Sequence, residues 1–158
     1  MIRHRSASES AHAVTHPCVR PRDDLAIERL GTDPTDARRR TGASGERAAA
    51  EYLAGRGLAL VERNARTRFG ELDLICAGGG ALVFVEVKTL VGRGEQDAER
   101  ALDSIGPRKR LQVRRLARAW LAERRSRPGY EEVRFDAVGV SVAASGRVNG
   151  LVHVPAAF

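Results

Sequence analysis

A chain of 158 residues is long enough for one domain with a single core, and 42% hydrophobic and 30% charged residues are typical of a globular protein. The net charge of +7 comes almost wholly from arginine, because Lys88 and Lys109 are the only lysines. Arginine makes bidentate contacts with phosphate, which suits a nucleic-acid partner, although genomic base composition also produces such an excess. Cys18 and Cys76 fit neither a disulfide framework nor a zinc site. No apolar run is long enough to approach a membrane span. We therefore expect a cytoplasmic protein without a membrane partner.

Residues 1–40 differ from the rest of the chain. They contain Ser, His, Pro, Asp and Arg without helical or alternating periodicity, apart from a short apolar patch at residues 25–30. Such a segment buries too little apolar surface to offset the entropy lost on ordering it. We therefore expect residues 1–40 to be a disordered extension with few contacts to a domain formed by residues 41–158.

From residue 44 onwards the sequence is periodic. Ser44 is suited to cap a helix that continues to residue 53, and Gly55 and Gly57 are suited to end it. Pro107 opens a second, long helix that ends before Pro128. Five strands are predicted, at residues 58–63, 71–77, 81–89, 133–142 and 148–154. The predicted order is αβββαββ, an α/β fold with hairpins and one crossover helix.

The strand at residues 81–89 carries the side chains that point to chemistry. Successive side chains of a strand alternate between the two faces of its sheet, so Glu86 and Lys88 share a face with Leu82 and Phe84. A carboxylate and an ammonium at the end of a core strand are costly to bury unless they have a use.

The glycine run at residues 78–80 predicts a tight hairpin turn. If residues 79 and 80 form a two-residue turn, Asp73 lies directly opposite Glu86, with the two Cβ atoms about 5 Å apart. A divalent cation between the carboxylates converts their repulsion into binding, and Mg²⁺ (or Mn²⁺) prefers carboxylates, water and phosphate oxygens. A three-residue turn would shift the register by one residue and place the two carboxylates on opposite faces.

These residues predict a metal-dependent nuclease. A metal held by Asp73 and Glu86 would polarise a phosphodiester and acidify a bound water, and Lys88 would orient that water or stabilise charge on the phosphate oxygens. Glu46, at the start of the inward stripe of the first helix, would complete the metal shell. The alternative is an ion-paired surface in which Lys88 pairs with Glu86 and Asp73 pairs with a neighbouring arginine.

The second helix is strongly basic, and a solvated surface is the simplest explanation for most of its arginines. Lys109 differs because it lies on the inward stripe at the helix N-terminus, where the backbone N–H groups favour an anion. We therefore expect Lys109 to contact phosphate. Arg66 and Arg68, in the loop beside the hairpin, and Arg108 are further candidates for nucleic-acid binding.

Several separate runs of this sequence resemble the uncharacterised YraN-like family over residues 42–158. The runs are Gly45-Glu46, Glu62-Arg63-Asn64, Arg68-Phe69-Gly70-Glu71-Leu72-Asp73-Leu74-Ile75, Leu82-Val83-Phe84-Val85-Glu86-Val87-Lys88-Thr89, Pro107-Arg108-Lys109, Arg134-Phe135-Asp136 and the closing His153 and Ala157-Phe158. That family is similar to restriction-endonuclease-like nucleases of the PD-(D/E)xK type and, more loosely, to Holliday-junction resolvases.

The resemblance implies a restriction-endonuclease-like mixed β-sheet flanked by helices, and metal-dependent hydrolysis of DNA on branched or repair intermediates. It carries Glu46, Asp73, Glu86 and Lys88 over to the metal and catalytic roles. Leu72 is a departure, because the superfamily pattern has proline there, but this changes a backbone preference and removes no ligand.

Three functions are compatible with the sequence. The first is a Mg²⁺-dependent endonuclease acting on DNA, as a monomer or as a homodimer that cuts two strands. The second is a non-catalytic nucleic-acid-binding module with a vestigial nuclease site, and the third is an assembly protein whose basic helix binds an acidic protein. Few aromatic side chains are free for base stacking, because Trp120 and Phe84 are expected in the core, which argues against a single-strand-binding platform.

Overall fold

The computed structural model describes residues 33–158, so most of the predicted extension lies outside the described residues. Where the two overlap, the structure differs from the prediction, because the first helix begins at Pro34 and residues 34–40 belong to it. Asp33 caps this helix, and its Oδ1 accepts a hydrogen bond of 2.9 Å from the Thr35 backbone N–H. The domain boundary predicted at residue 41 therefore falls inside a helix.

The described residues form helices and strands in the order αβββααββ. Their bounds are α1 Pro34–Gly55, β1 Ala59–Thr67, β2 Gly70–Gly78, β3 Ala81–Val91, α2 Glu95–Leu102, α3 Pro107–Glu123, β4 Glu132–Val142 and β5 Val148–Val154. Every predicted strand is present, whereas the predicted order αβββαββ lacked α2. Between residues 33 and 158, none of the helices combines the length and apolar character that a transmembrane helix needs.

The five strands form one sheet in the order β1-β2-β3-β4-β5. Strands β3 and β4 are parallel, and the other neighbouring pairs are antiparallel. The parallel step needs a crossover, which α2 and α3 supply. The prediction of an α/β fold with a mixed sheet flanked by helices is confirmed.

The two faces of the sheet bury separate apolar clusters. On one face, α1 packs through Ala49 and Leu53 against alternate valines of β3, including Val83 and Val85. On the other face, α3 packs through Trp120 and its neighbours against residues that include Phe84, and the two rings meet edge to face with centroids 5.7 Å apart. The predicted alternation of β3 therefore separates the α1 side of the sheet from the α3 side.

The β2–β3 hairpin has the predicted two-residue turn. Gly79 and Gly80 have φ angles of 58° and 79°, which side chains other than glycine rarely adopt. Gly78 pairs with Ala81, and the register continues from there to Leu74 opposite Val85. The predicted register is therefore confirmed from the turn as far as the Leu74–Val85 pair.

Two glycines of the sheet explain how α2 packs. A Cβ atom added at Gly139 would lie 2.0 Å from the Ala98 carbonyl oxygen, and one added at Gly150 would lie 2.4 Å from the Gly94 carbonyl carbon. The helix buries little beyond Ala98 and Ala101, which is a weak apolar pattern over eight residues. Close backbone contact therefore replaces large apolar side chains, and this is why the sequence pattern did not predict α2.

Asp136 of β4 is a fully buried carboxylate that anchors the end of the chain. It accepts two hydrogen bonds from Arg134, of 2.8 and 2.9 Å, one from the Ala156 backbone N–H of 3.0 Å, and lies 2.8 Å from His153 Nε2. Burial alone would raise the pKa of Asp136, but these partners lower it to about 2. Its role is structural, because protein groups satisfy it completely.

Gly139→Ala should destabilise the protein by about 2 kcal/mol or more, because the new methyl group meets the α2 backbone, which cannot rotate away. Gly129→Ala is the matched control, since a Cβ atom there has no atom within 4 Å, and its effect should stay within about 0.5 kcal/mol. Urea unfolding followed by circular dichroism measures both. Equal effects of the two substitutions would contradict the close packing of α2 on β4.

Candidate active site

The site lies where the β2–β3 ladder opens. Backbone pairing between these strands ends at Leu74 and Val85, one residue short of the expected Asp73–Glu86 pair. Instead, Asp73 Oδ2 accepts a hydrogen bond of 2.8 Å from the Val87 backbone N–H. A carboxylate therefore takes the place of a backbone carbonyl between the two strands.

The regular alternation of side chains is also interrupted at Asp73. Leu72 belongs to the apolar cluster on the α3 side, and Leu74, two residues later, belongs to the cluster on the α1 side. On the neighbouring strand, Asn64 has a positive φ of 51°, between the residues that pair with Leu72 and Leu74. The backbone irregularity in both strands re-aims the side chains at this end of the sheet.

Glu86 is held in the site by both lysines of the chain. Its side chain is only 2% exposed, and its Oε1 lies 2.7 Å from Lys88 Nζ and 2.9 Å from Lys109 Nζ. Neither ammonium group approaches along the direction of a good hydrogen bond, so Oε1 has ionic contacts without an aligned donor. Lys88 comes from the same strand, and Lys109 comes from the first turn of α3.

Asp73 is the perturbed group of the site. Burial and the nearby negative charge of Glu86 raise the pKa of Asp73 to about 6, although the Val87 N–H and the two lysines act in the opposite direction. The carboxylate is thus charged at neutral pH but more easily protonated than an exposed aspartate. Perturbation of this kind by desolvation and a specific partner is typical of functional sites.

Glu46 reaches the same cavity from α1. The preceding Gly45 permits this approach, because a Cβ atom there would lie 1.9 Å from Thr89 Oγ1. Burial raises the pKa of Glu46, whereas a side-chain hydrogen bond with Asn64 lowers it. In the described part of the chain no three His, Cys, Asp or Glu side chains are placed to hold one metal ion, so the predicted shell of Asp73, Glu86 and Glu46 is not assembled.

These side chains line one open cavity of about 590 Å³. Its polar lining consists mainly of Glu46, Asp73, Glu86, Lys88, Lys109 and Arg38. Arg38 belongs to the first turns of α1, in the segment predicted to be a disordered extension. That prediction missed it because only a folded helix places Arg38 at the site.

The four residues predicted to bind nucleic acid occupy different environments. Lys109 lies inside the cavity, paired with Glu86, and Arg108 is exposed beside it at the start of α3. Arg66 is exposed and pairs with Glu71 at 3.3 Å. The Arg68 guanidinium lies over the Phe69 ring, 4.7 Å from its centroid. Only Lys109 therefore shares the cavity with Asp73 and Glu86.

Asp73→Asn should stabilise the protein at pH 8 in the absence of divalent metal, by at most about 3 kcal/mol. The amide oxygen can still accept the Val87 N–H, while the cost of burying a charge is removed. The pKa of Asp73 in the folded protein lies above the ordinary value of 3.8. The free-energy cost of burying its charge therefore develops as the pH rises from about 4 to about 6 and is absent below that range.

Thermal unfolding in EDTA between pH 4 and pH 8 measures this effect. Glu51→Gln, on the exposed side of α1, is the control and should show no gain that grows with pH. A gain for Asp73→Asn that is the same at both ends of the pH range would contradict a raised pKa at Asp73.

Comparison with known proteins supports the resemblance described above. The model of the uncharacterised protein family UPF0102 matches residues 45–140. The UPF0102 protein sce2912 of Sorangium cellulosum (strain So ce56) is 40% identical over 131 residues, covering 82% of this chain and 89% of the relative. The UPF0102 protein of Streptomyces griseus is 44% identical over 111 residues, covering 70% of this chain and 90% of the relative.

Among solved structures, that of Pyrococcus furiosus SfsA in complex with Ca²⁺ aligns with 76% of this chain and 63% of that chain. The TM-score is 0.28 and the identity 18%, a similarity too weak to carry a conclusion. The sequence relatives, in contrast, are matched over most of their own length. By family model and by relatives alike, this chain belongs to the UPF0102 family.

Proposed function

We propose that this protein is a Mg²⁺- or Mn²⁺-dependent nuclease with a restriction-endonuclease-like domain, and that it hydrolyses DNA phosphodiester bonds. The observation that carries the proposal is the juxtaposition of Asp73, Glu86, Lys88 and Lys109 at the opened end of the β2–β3 ladder. Two carboxylates and two ammonium groups in one accessible cavity are suited to metal-dependent phosphodiester hydrolysis, because carboxylates can hold the ion and ammonium groups can stabilise charge on the phosphate.

The carboxylates present suit a hard divalent cation. Asp73 and Glu86 are close enough for the charge of one to raise the pKa of the other, and Glu86 Oε1 lacks an aligned hydrogen-bond donor. Mg²⁺ is commonly held by one or two carboxylates together with water and phosphate oxygens, and it would supply Lewis-acid polarisation of the phosphate here. Glu46, in the same cavity, is suited to contact such an ion through water.

The lysines supply the positive charge for the substrate. The Lys88 and Lys109 side chains are 31% and 27% exposed, so their ammonium groups can reach a phosphate oxygen while remaining in the cavity. Lys88, on the strand that carries Glu86, is suited to stabilise charge that develops on the reacting phosphate. Lys109, at the N-terminus of α3, is suited to hold a phosphate of the bound strand.

A non-catalytic nucleic-acid-binding module is the second candidate. It is favoured by the ion pairs themselves, because the two lysines neutralise Glu86 without a metal. In such a module the cavity would bind phosphate through the lysines, and the carboxylates would only hold the lysines in place. Cleavage assays separate the two candidates.

Asp73→Asn and Glu86→Gln should abolish metal-dependent cleavage of DNA while leaving affinity for DNA without metal equal or tighter, because each removes a negative charge that faces phosphate. Cleavage is measured on branched, duplex and single-stranded DNA with Mg²⁺ or Mn²⁺, and binding is measured in EDTA. Glu71→Gln is the control and should cut like the wild type. If both site variants cut like the wild type, the cleavage comes from a contaminant and the binding module replaces the nuclease.

The two lysines should differ in their effects. Lys109→Ala should weaken DNA binding and lower the slope of log affinity against log salt by about one phosphate contact. Lys88→Ala should mainly lower turnover, since its charge is directed at the reacting phosphate. A salt titration in EDTA together with single-turnover cleavage measures both, and an unchanged salt slope in Lys109→Ala would remove Lys109 from the DNA interface.

A further inference from the structure

An aromatic side chain is exposed in the turn that precedes the strand carrying Asp73. Phe69 lies in the turn between β1 and β2, and 37% of it is exposed. The Arg115 guanidinium of α3 lies 3.8 Å from the ring centroid, and the Arg68 guanidinium of the turn lies 4.7 Å from it. Trp120 and Phe84, in contrast, are buried as predicted. The ring of Phe69 is thus held at the surface by two cations instead of being buried in the core.

The position of this cluster is fixed by the elements that form the active site. Phe69 precedes Asp73 by four residues, which corresponds to about 13 Å of strand. Arg115 follows Lys109 by six residues, which corresponds to about 9 Å of helix. Between them, Gly70 packs against α3, since a Cβ atom there would lie 3.5 Å from Leu116. At about 3.4 Å per stacked nucleotide, a strand bound along this path would span three or four nucleotides between Asp73 and the cluster.

We propose that Phe69, backed by Arg115, forms a stacking site for an unpaired base of the DNA substrate. This inference rests on the proposed function and specifies its substrate class, which is DNA with unpaired nucleotides close to the cut, as in forks and flaps. The base takes the place of the exposed Arg68 side chain over the ring, while Arg115 remains against Phe69 and contacts the neighbouring phosphate.

The chemistry of the cluster favours a base over other ligands. Aromatic rings and planar guanidinium groups stack on any unpaired base, whereas the faces of bases within a duplex are already covered by their neighbours. The two arginines also attract the phosphates that flank the base. An acidic peptide would pair with the same arginines but would gain nothing from the face of the Phe69 ring.

The test compares a forked DNA with a blunt duplex of the same paired sequence, by fluorescence anisotropy in EDTA. Phe69→Leu keeps an apolar side chain and removes the ring, and it should weaken binding to the fork about tenfold or more while leaving duplex affinity within about twofold. Leu111→Ala, which alters the most exposed apolar side chain on α3, is the control and should change neither affinity. Phe69→Trp should restore binding to the fork.

A base analogue reports on stacking directly. With 2-aminopurine in the unpaired arm, the wild-type protein and Phe69→Trp should change its fluorescence, and Phe69→Leu should not. Arg115→Lys retains the charge and loses the planar group, so it should weaken fork binding more than duplex binding. Equal losses on both DNAs, or wild-type fork affinity in Phe69→Leu, would overturn the stacking site.

The result of the stacking test does not depend on cleavage activity, because DNA binding is measured without metal. If the wild type cuts DNA in an Asp73-dependent manner but Phe69→Leu binds the fork normally, the stacking site is wrong and the nuclease stands. If Phe69→Leu loses fork binding but the wild type cuts no DNA, the nuclease is wrong and the stacking site stands.

Discussion

The ion pairs at Glu86 are the interaction on which the rest of the site depends. A buried carboxylate without partners is strongly destabilising, and here its partners come from two different elements. Lys88 extends the same strand, whereas Lys109 reaches Glu86 from the first turn of α3. The ion pair between Glu86 of β3 and Lys109 therefore fixes where the N-terminus of α3 lies over the sheet. Since Gly70 packs on the same helix, this placement also determines where the turn carrying Phe69 meets Arg115.

The sheet contains a second buried carboxylate, and the difference between the two shows why only one end of the sheet is a candidate for chemistry. Asp136 is surrounded by Arg134, His153 and the Ala156 backbone N–H, which lower its pKa to about 2. At the opened ladder, burial and the charge of Glu86 instead raise the pKa of Asp73 to about 6. The first arrangement stabilises a fixed geometry. The second brings charged groups of both signs into one open cavity, where a cation or a phosphate finds partners.

Features of the fold and of the site that follow from local sequence patterns could be predicted, whereas features that depend on how distant elements pack could not. The glycine turn specified the register that brings Asp73 towards Glu86, and the valines of β3 specified its faces, because both follow from backbone geometry. The start of α1 was missed although Asp33, just before Pro34, is a helix-start signal, and α2 was missed because a glycine contact replaces its apolar face. The inward stripe of the second predicted helix singled out Lys109, but the pairing of Lys109 with Glu86 and the position of Arg115 depend on where that helix lies in space, which no periodicity specifies. The exposure of Phe69 could not be predicted either, because Phe69 and Arg115 are brought together only by folding.

Charge balance connects the carboxylates to the lysines under the proposed function. Asp73 and Glu86 are two carboxylates and Lys88 and Lys109 are two ammonium groups, so their formal charges cancel. A phosphodiester alone would give the cavity a negative excess beside two carboxylates, and a divalent cation alone would give it a positive excess beside two ammonium groups. A metal and a phosphodiester together leave one positive charge, so each reduces the repulsion that the other meets. A cation held at Glu86 would also weaken the hold of that carboxylate on Lys109. By linkage, the lysine would then be freer to contact phosphate, and bound phosphate would in turn favour the cation.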